Sequence, residues 1–391
     1  MITDVYPLSP LQEGLYYHWL SEPNSSAYFQ QMSYQIKGKL NIVAEEKSYA
    51  MLVNRHSILR TVFTQKVGEK ILQVVKKEAS SNFNYVRIKN EKNDVEEYKR
   101  ADRSKGFDLG SGSQMRLSVL DLGNDVYEFI WSFHHILMDG WCIGILIKEF
   151  FEIYESCLQN KEPQLSKVYP YSTYIKWLEA IDKTQSLQYW KNYLNGYDTV
   201  SSLPKTALNA YQSYVTEETT LSISGEIRTS IKKQCIALGI TENTFIQTIW
   251  GILLSKYNNA NDVVFGAVVS GRPAEIEGIE EMIGLFINTI PVRIQISDTI
   301  TVSELLKQVQ KASNEGIKYH YTQLAEIQSE SELGRDLFDH IMVFENYPVQ
   351  EMVQQTINNQ DNEHQFTLIT ADAFEQTNYN LTLVVIPSDV L

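Results

Sequence analysis

Apolar positions follow two periods along this chain, and the two alternate by region. Between residues 43 and 59, Val43, Tyr49, Met51, Leu52, Val53 and Ile58 stand among charged residues at the spacing of one helix face. Thr61–Lys66 and Ile71–Val75 read as a strand pair turning through Val67-Gly68-Glu69-Lys70. Met115–Leu120 and Val126–Phe133 are denser apolar runs around Leu122-Gly123-Asn124-Asp125, a hairpin signal. From Gly140 a helix is predicted to about Leu158, with Ile143, Ile145, Leu146, Phe150, Phe151 and Tyr154 on its apolar side. Aromatic-rich helices follow near Ser172–Ile181 and Gln185–Leu194.

Residues 195–215 have mixed polarity, Pro204 and no period, and read as a linker. The second half is predicted to hold a strand at 217–223, a helix at 225–238 and a buried helix at 243–257 opened by Thr241 as N-cap. Strands at 262–269 and 285–297, a helix at 302–318 and strands near 339–345, 366–370 and 380–386 complete it. The coarse reading is α/β (α+β): two lobes with mixed sheets. The N-terminal lobe covers 1–180, a connecting helix and linker 181–215, and the C-terminal lobe 216–391. A site is expected in the cleft between lobes, where pockets concentrate.

Charge narrows the partners. With 34 Lys and Arg against 48 Asp and Glu, the formal net charge is −14, which argues against nucleic acid or an anionic membrane as main partner. Cys142, Cys157 and Cys235 are too few and too scattered for a disulfide framework or a zinc site, and buried thiols are expected. The first 12 residues lack the basic-then-apolar pattern of a signal peptide, and no apolar run approaches 18 residues, so a cytoplasmic setting is expected.

The densest candidate chemistry is Phe133-His134-His135-Ile136-Leu137-Met138-Asp139-Gly140-Trp141. Neighbouring residues at a strand end point to opposite faces, so one histidine is expected to face a cleft and the other to pack behind it. Asp139 is placed to support the loop, and Gly140 permits a turn or close approach. Three readings are open: a pair of core histidines with Asp139 capping the next helix, a two-His-one-carboxylate metal site, and a general base or hydrogen-bond donor supplied by one histidine. Opposed faces make the metal site a poor fit. The chain has no G-x-S-x-G elbow, phosphate loop or G-x-G-x-x-G. Direct transfer between two bound substrates therefore fits better than a covalent acyl-enzyme.

His134-His135-Ile136-Leu137-Met138-Asp139-Gly140 resembles the H-H-x-x-x-D-G motif of nonribosomal peptide synthetase condensation domains, shared with chloramphenicol acetyltransferase-like acyltransferases. Other family motifs accompany it in order. They are similar to Tyr6–Gly14, Arg55–Phe63, Tyr171–Trp177, Ile283–Arg293 and Leu337–Asn346 here. The resemblance implies two chloramphenicol-acetyltransferase-like lobes forming a V, with the active site in a tunnel between them. It implies donor and acceptor carrier proteins at opposite mouths, each bearing its aminoacyl or peptidyl group on phosphopantetheine, and a neighbouring adenylation domain. The domain would bind no cofactor or metal of its own. The acceptor amine would attack the donor thioester, forming a peptide bond. Met138, Trp141-Cys142 and Phe338–Pro348 look most like the subclass taking an L-configured donor. A free-standing acyltransferase using acyl-CoA, a non-catalytic carrier-binding module and an epimerization-type relative are the rival readings.

The same resemblance assigns roles. His135 is expected at the reacting centre, orienting the amine and receiving or relaying its proton. His134 is expected behind it, held by backbone hydrogen bonds. Gly140 and nearby N–H groups are candidates to stabilise an oxyanion. Asp139 is expected to pair with a buried arginine, Arg60 first and Arg293 second. Trp141 walls the tunnel or belongs to the core, while Ser9, Gln12 and Asn288 line the cleft. Members of the family continue for some tens of residues beyond a point like Ser388–Leu391, so an incomplete C-terminal lobe is also an expectation.

Overall fold

The hairpin predicted around Leu122–Asp125 is the spine of the first of two units. The computed structural model describes residues 1–22, 25, 27–67, 70–79, 82–88, 92–203, 217–345, 353–354, 357 and 366–387. Contacts divide it into one unit of 1–181, 272–286 and 349–378 and a second of 182–271, 287–348 and 379–391. The expected turn at Gly68-Glu69, most of the 195–215 linker, Asn346–Pro348 and Ser388–Leu391 lie outside the described residues.

Twelve strands are described. They are β1 (Ile2–Pro7), β2 (Phe29–Lys37), β3 (Thr61–Val67), β4 (Lys70–Lys76), β5 (Phe83–Arg87), β6 (Met115–Gly123), β7 (Val126–His134), β8 (Asp262–Val269), β9 (Asn288–Gln295), β10 (Ile341–Phe344), β11 (Thr367–Phe374) and β12 (Thr382–Val385). The helices are α1 (Pro10–Ser21), α2 (Ile42–Arg55), α3 (Lys92–Lys105), α4 (Trp141–Leu158), α5 (Ser172–Ala180), α6 (Thr184–Leu194), α7 (Gly225–Leu238), α8 (Glu242–Asn258), α9 (Val302–Gly316) and α10 (Leu324–Ser329).

In the first unit, β1-β4-β3 form a small antiparallel sheet and β11-β2-β7-β6-β5 a larger mixed one, with β5 parallel to β6. Asn124 and Asp125 have φ of 53° and 55°, so both turn residues are left-handed, as a tight two-residue hairpin demands. One face of the large sheet is aromatic. Trp131 meets Phe150 of α4 edge-on and donates its Nε1–H to the Tyr34 hydroxyl. Charged pairs cover the other face. Arg116 of β6 binds Asp102 of α3, and Lys99 of α3 sits 3.0 Å from Glu128 of β7. Helix α3 has few apolar residues; Val95 packs with Leu120, Leu122 and Ile130, and the charged pairs dock it further along.

The second unit holds β12-β10-β8-β9, parallel except for β9. Leu254, Leu305 and Val309 from α8 and α9 pack on Val263, Phe265 and Ile294. Trp190 and Leu194 of α6 and Ile327 of α10 pack with Val264 and Ile290. Thr241 caps α8 as expected, its side chain accepting from Thr244 N–H.

Three expectations are corrected. Residues 217–223 form no strand. No described strand pairs with them, and Leu221 is 83% exposed. Helix α8 is buried along one side only, with Ile249, Leu253 and Tyr257 exposed. Helix α2 turns Val43 to solvent and buries Ala44, Glu45, Ser48, Tyr49, Leu52 and Val53. Of the cysteines, Cys142 and Cys235 are buried and Cys157 is half-buried.

Glu45 is fully buried, and neither carboxyl oxygen has a hydrogen-bond partner. Burial holds its pKa well above the usual carboxylate range. A raised folded-state pKa stabilises the fold fully only below the unfolded value, and that contribution is lost as pH rises. Glu45→Met is therefore expected to raise stability at pH 7–8 by about 1–3 kcal/mol, the cost of an unsatisfied buried polar group. The gain should shrink towards pH 4, as read by urea denaturation across pH.

Candidate active site

Strand β7 ends at His134, and the chain turns through 135–139 into α4 within the first unit. His134 N–H donates to Gln114 O (3.0 Å), and His134 Nδ1 accepts from Ile136 N–H (3.1 Å). Burial, then His135 and His18, push His134 down to about 3, so it is neutral. It is held by the backbone, behind the second histidine. His135 donates from Nδ1 to Met138 O at 2.9 Å, which fixes the tautomer and leaves the Nε2 lone pair for chemistry.

Ser9 and Gln12 hold this turn from beneath. Ser9 caps α1 in a reciprocal box with Gln12, and Gln12 Nε2 donates to Ile136 O at 2.9 Å. Gln12 and Gln73 also bond to each other. Both capping residues are buried and support the His135 turn. Asn288 is likewise buried. In the second unit its amide donates to the His320 and Thr322 carbonyls at 2.8 and 2.6 Å.

Asp139 pairs with Arg272, which corrects the expectation of Arg60 or Arg293. Arg272 Nη2 is 3.2 Å from Asp139 Oδ1, with both side chains almost wholly buried. Asp139 Oδ2 accepts from Phe286 N–H at 3.0 Å, and Asp139 N–H donates to Gly284 O at 3.2 Å. Arg272 also donates to the Ile279 and Met282 carbonyls, and its guanidinium lies 4.1 Å from the Phe286 ring centre. The pair thereby ties the His135–Asp139 turn to residues 279–286. The other two arginines are engaged elsewhere. Arg60 donates to the Lys76 and Lys77 carbonyls, and Arg293 forks onto Asp262.

Asp139 does not cap α4. Gly140 occupies the N-cap position without a side-chain bond. Its φ of −61° is ordinary helical backbone, so no left-handed conformation calls for glycine there. Cys142, one turn on, donates its thiol to Asp139 Oδ1, and burial pushes that thiol up to about 12. Trp141 is 38% exposed, and its Nε1–H donates to Glu280 O at 3.1 Å.

A close backbone approach does fall at Gly284. A Cβ there would sit 2.1 Å from Tyr171 Cδ2, and Tyr171 is pinned by its hydroxyl bond to Leu285 O at 2.7 Å. Gly284→Ala is expected to destabilise by about 1–3 kcal/mol. A denaturation midpoint unchanged from wild type would contradict that.

Two residues of this site escaped the sequence reading. Arg272 lies 133 residues from Asp139. Glu375 follows β11 and places Oε1 3.7 Å from His135 Nε2. Burial lowers the His135 pKa, but Glu375, then Met138 O and Asp139, raise it more, and the net shift is upward. Among the described residues no His, Cys, Asp and Glu side chains are grouped as a metal site would need.

The condensation-domain family model matches residues 2–390. Bacitracin synthase 3 of Bacillus licheniformis is 40% identical over 393 residues, covering 100% of this chain and 6% of the synthase. Gramicidin S synthase 2 of Brevibacillus brevis is 40% identical over 395 residues, covering 99% of this chain and 9% of that synthase. The chain thus spans a small part of these relatives. The fold matches a holo four-domain nonribosomal peptide synthetase, AB3403, solved with AMP and glycine. The TM-score is 0.80 at 19% identity, covering 100% of this chain and 31% of that one. The family match over nearly the whole chain, and a likeness to these synthases that extends along all of it, place the chain in the condensation-domain family of nonribosomal peptide synthetases.

Proposed function

We propose that this chain forms a peptide bond between two carrier-bound substrates. The acceptor amine attacks the donor thioester carbonyl, a C–N bond replaces the C–S bond, and the donor's sulfur leaves as a thiol. The observation that carries this reading is the His135 imidazole, fixed through Nδ1 with Nε2 left for a proton, inside a chain that the condensation-domain family matches over residues 2–390. His135 orients the amine and receives its proton. His134 backs it, Asp139 and Arg272 hold the turn, and Gly140 and nearby backbone N–H groups stabilise the oxyanion. Trp141 borders the substrates.

The phosphopantetheine arms belong to donor and acceptor carrier proteins, and the domain supplies no cofactor or metal of its own. An adenylation domain neighbours it, the setting is cytoplasmic, and the donor is L-configured. The test loads one carrier with an L-aminoacyl group and a second with another amino acid, adds the chain, and weighs the acceptor carrier. A dipeptidyl mass supports the reading. Product formed equally well from a soluble acyl-CoA donor would favour a free-standing acyltransferase.

A further inference from the structure

Glu375 lies outside every motif singled out in the sequence, yet its position is closely determined. Tyr28 bridges it to the histidine turn. The Tyr28 carbonyl accepts from His135 N–H at 2.8 Å, and Tyr28 N–H donates to Gln376 O at 3.2 Å. One residue thus fixes both His135 and the neighbour of Glu375. Tyr28 does so at φ 66°, a left-handed conformation uncommon for a bulky side chain. Such strain persists only where the surroundings over-determine it, and it clusters at functional sites.

The strand leading to Glu375 is held as well. β11 pairs with β2 from Thr367↔Lys37 to Phe374↔Gln31. From α3, Arg103 lies 4.6 Å from the Phe374 ring centre and Lys99 Nζ 4.0 Å from Asp372.

We infer that Glu375 is a positioning residue for His135, holding its Nε2 edge and balancing the charge of the imidazolium when His135 carries a proton. The inference rests on the peptide-bond reading above. In that reaction the ammonium gives one proton to His135, and the amine attacks. The resulting amide nitrogen sheds a second proton to the departing sulfur. His135 then returns its proton to solvent. Between those steps the imidazolium needs an anion close by.

Two carboxylates face His135. Asp139 is committed to Arg272 and Phe286 N–H. Glu375, half-exposed, has its charge available. The other nearby titratable groups are His134, which is neutral, and His18 beyond it. At 3.7 Å the Glu375 contact is an ion pair rather than a hydrogen bond. Glu375 itself is held below the usual carboxylate range; burial raises it, and His135 and Gln30 more than offset that.

Glu375→Gln tests this with two readouts. Nitrogen-resolved NMR of the His135 ring needs no turnover. The variant should titrate at lower pH than wild type, because only Met138 O and Asp139 then oppose burial. In the carrier assay the variant should lose about tenfold or more in kcat with little change in KM, and its acid limb should move to lower pH. Glu375→Asp should recover part of the loss, and His135→Ala/Glu375→Gln should be no slower than His135→Ala. An unmoved His135 titration, or losses that add in the double variant, would overturn the inference. Wild-type chain that makes no dipeptide would instead remove the reaction reading, and the NMR titration would still decide the Glu375–His135 pair.

Discussion

Arg272→Met should cost about 3–5 kcal/mol, because it strands a buried carboxylate rather than removing a neutral contact. Asp139 and Arg272 are almost fully buried, and water cannot take over from the lost guanidinium. The variant keeps the Phe286 N–H bond to Asp139 Oδ2 and the Cys142 thiol bond to Oδ1, so part of the turn survives. It loses the bonds from Arg272 to the Ile279 and Met282 carbonyls, which loosens residues 279–282 while Gly284 and Phe286 stay bonded to Asp139. Activity should fall together with the denaturation midpoint. Adding Asp139→Asn should restore stability, since an amide strands no charge, and a double-mutant cycle should give coupling of at least about 1 kcal/mol. Arg60→Met, whose guanidinium serves backbone carbonyls at Lys76 and Lys77, should show no coupling to Asp139.

What the sequence made legible follows from how each element is stabilised. The β6–β7 hairpin, α4 and α9 were readable because an apolar face or run, a turn signal or a cap marks each one locally. Helix α3 carries almost no apolar stripe. Beyond the contact of Val95 with Leu120, Leu122 and Ile130, it docks through Lys99, Asp102 and Arg103, and a pattern of charges does not reveal its partners. Strand β2 was missed for a related reason. Gln31 contacts the polar network under α3, while Tyr34 joins the aromatic core, so its pattern mixes two kinds of buried face.

The histidine turn itself was legible as a motif, and its supports were not. Choosing Arg272 over Arg60 or Arg293 requires knowing that residues 272–286 fold back onto the first unit. The same holds for Glu375, carried in on β11 from late in the chain. Ser9 and Gln12 were recognised as site residues, but their side chains cap α1 and brace Ile136.

His135→Ala is expected to have the largest effect on activity. An α-amino group with pKa near 7.7–8.0 is roughly one-tenth neutral at pH 7, so deprotonation alone costs only about 1 kcal/mol. Holding both arms in reach can contribute up to about 7–11 kcal/mol, and much of that survives loss of one side chain. The proton-accepting and orienting role of a placed histidine is typically worth 10²–10⁴-fold. The upward shift of the His135 pKa also predicts an acid limb in the pH–rate profile above the ordinary histidine value, lost in the alanine variant. Neutral His135 is the form that accepts a proton, so the rate should rise as pH climbs through that pKa.

The most direct measurement is therefore a single-turnover transfer from an L-aminoacyl donor carrier to an aminoacyl acceptor carrier, followed by mass for wild type and His135→Ala side by side. The account predicts a dipeptidyl acceptor from wild type and a rate at least about a hundredfold lower from the variant. Equal rates from the two proteins would contradict it.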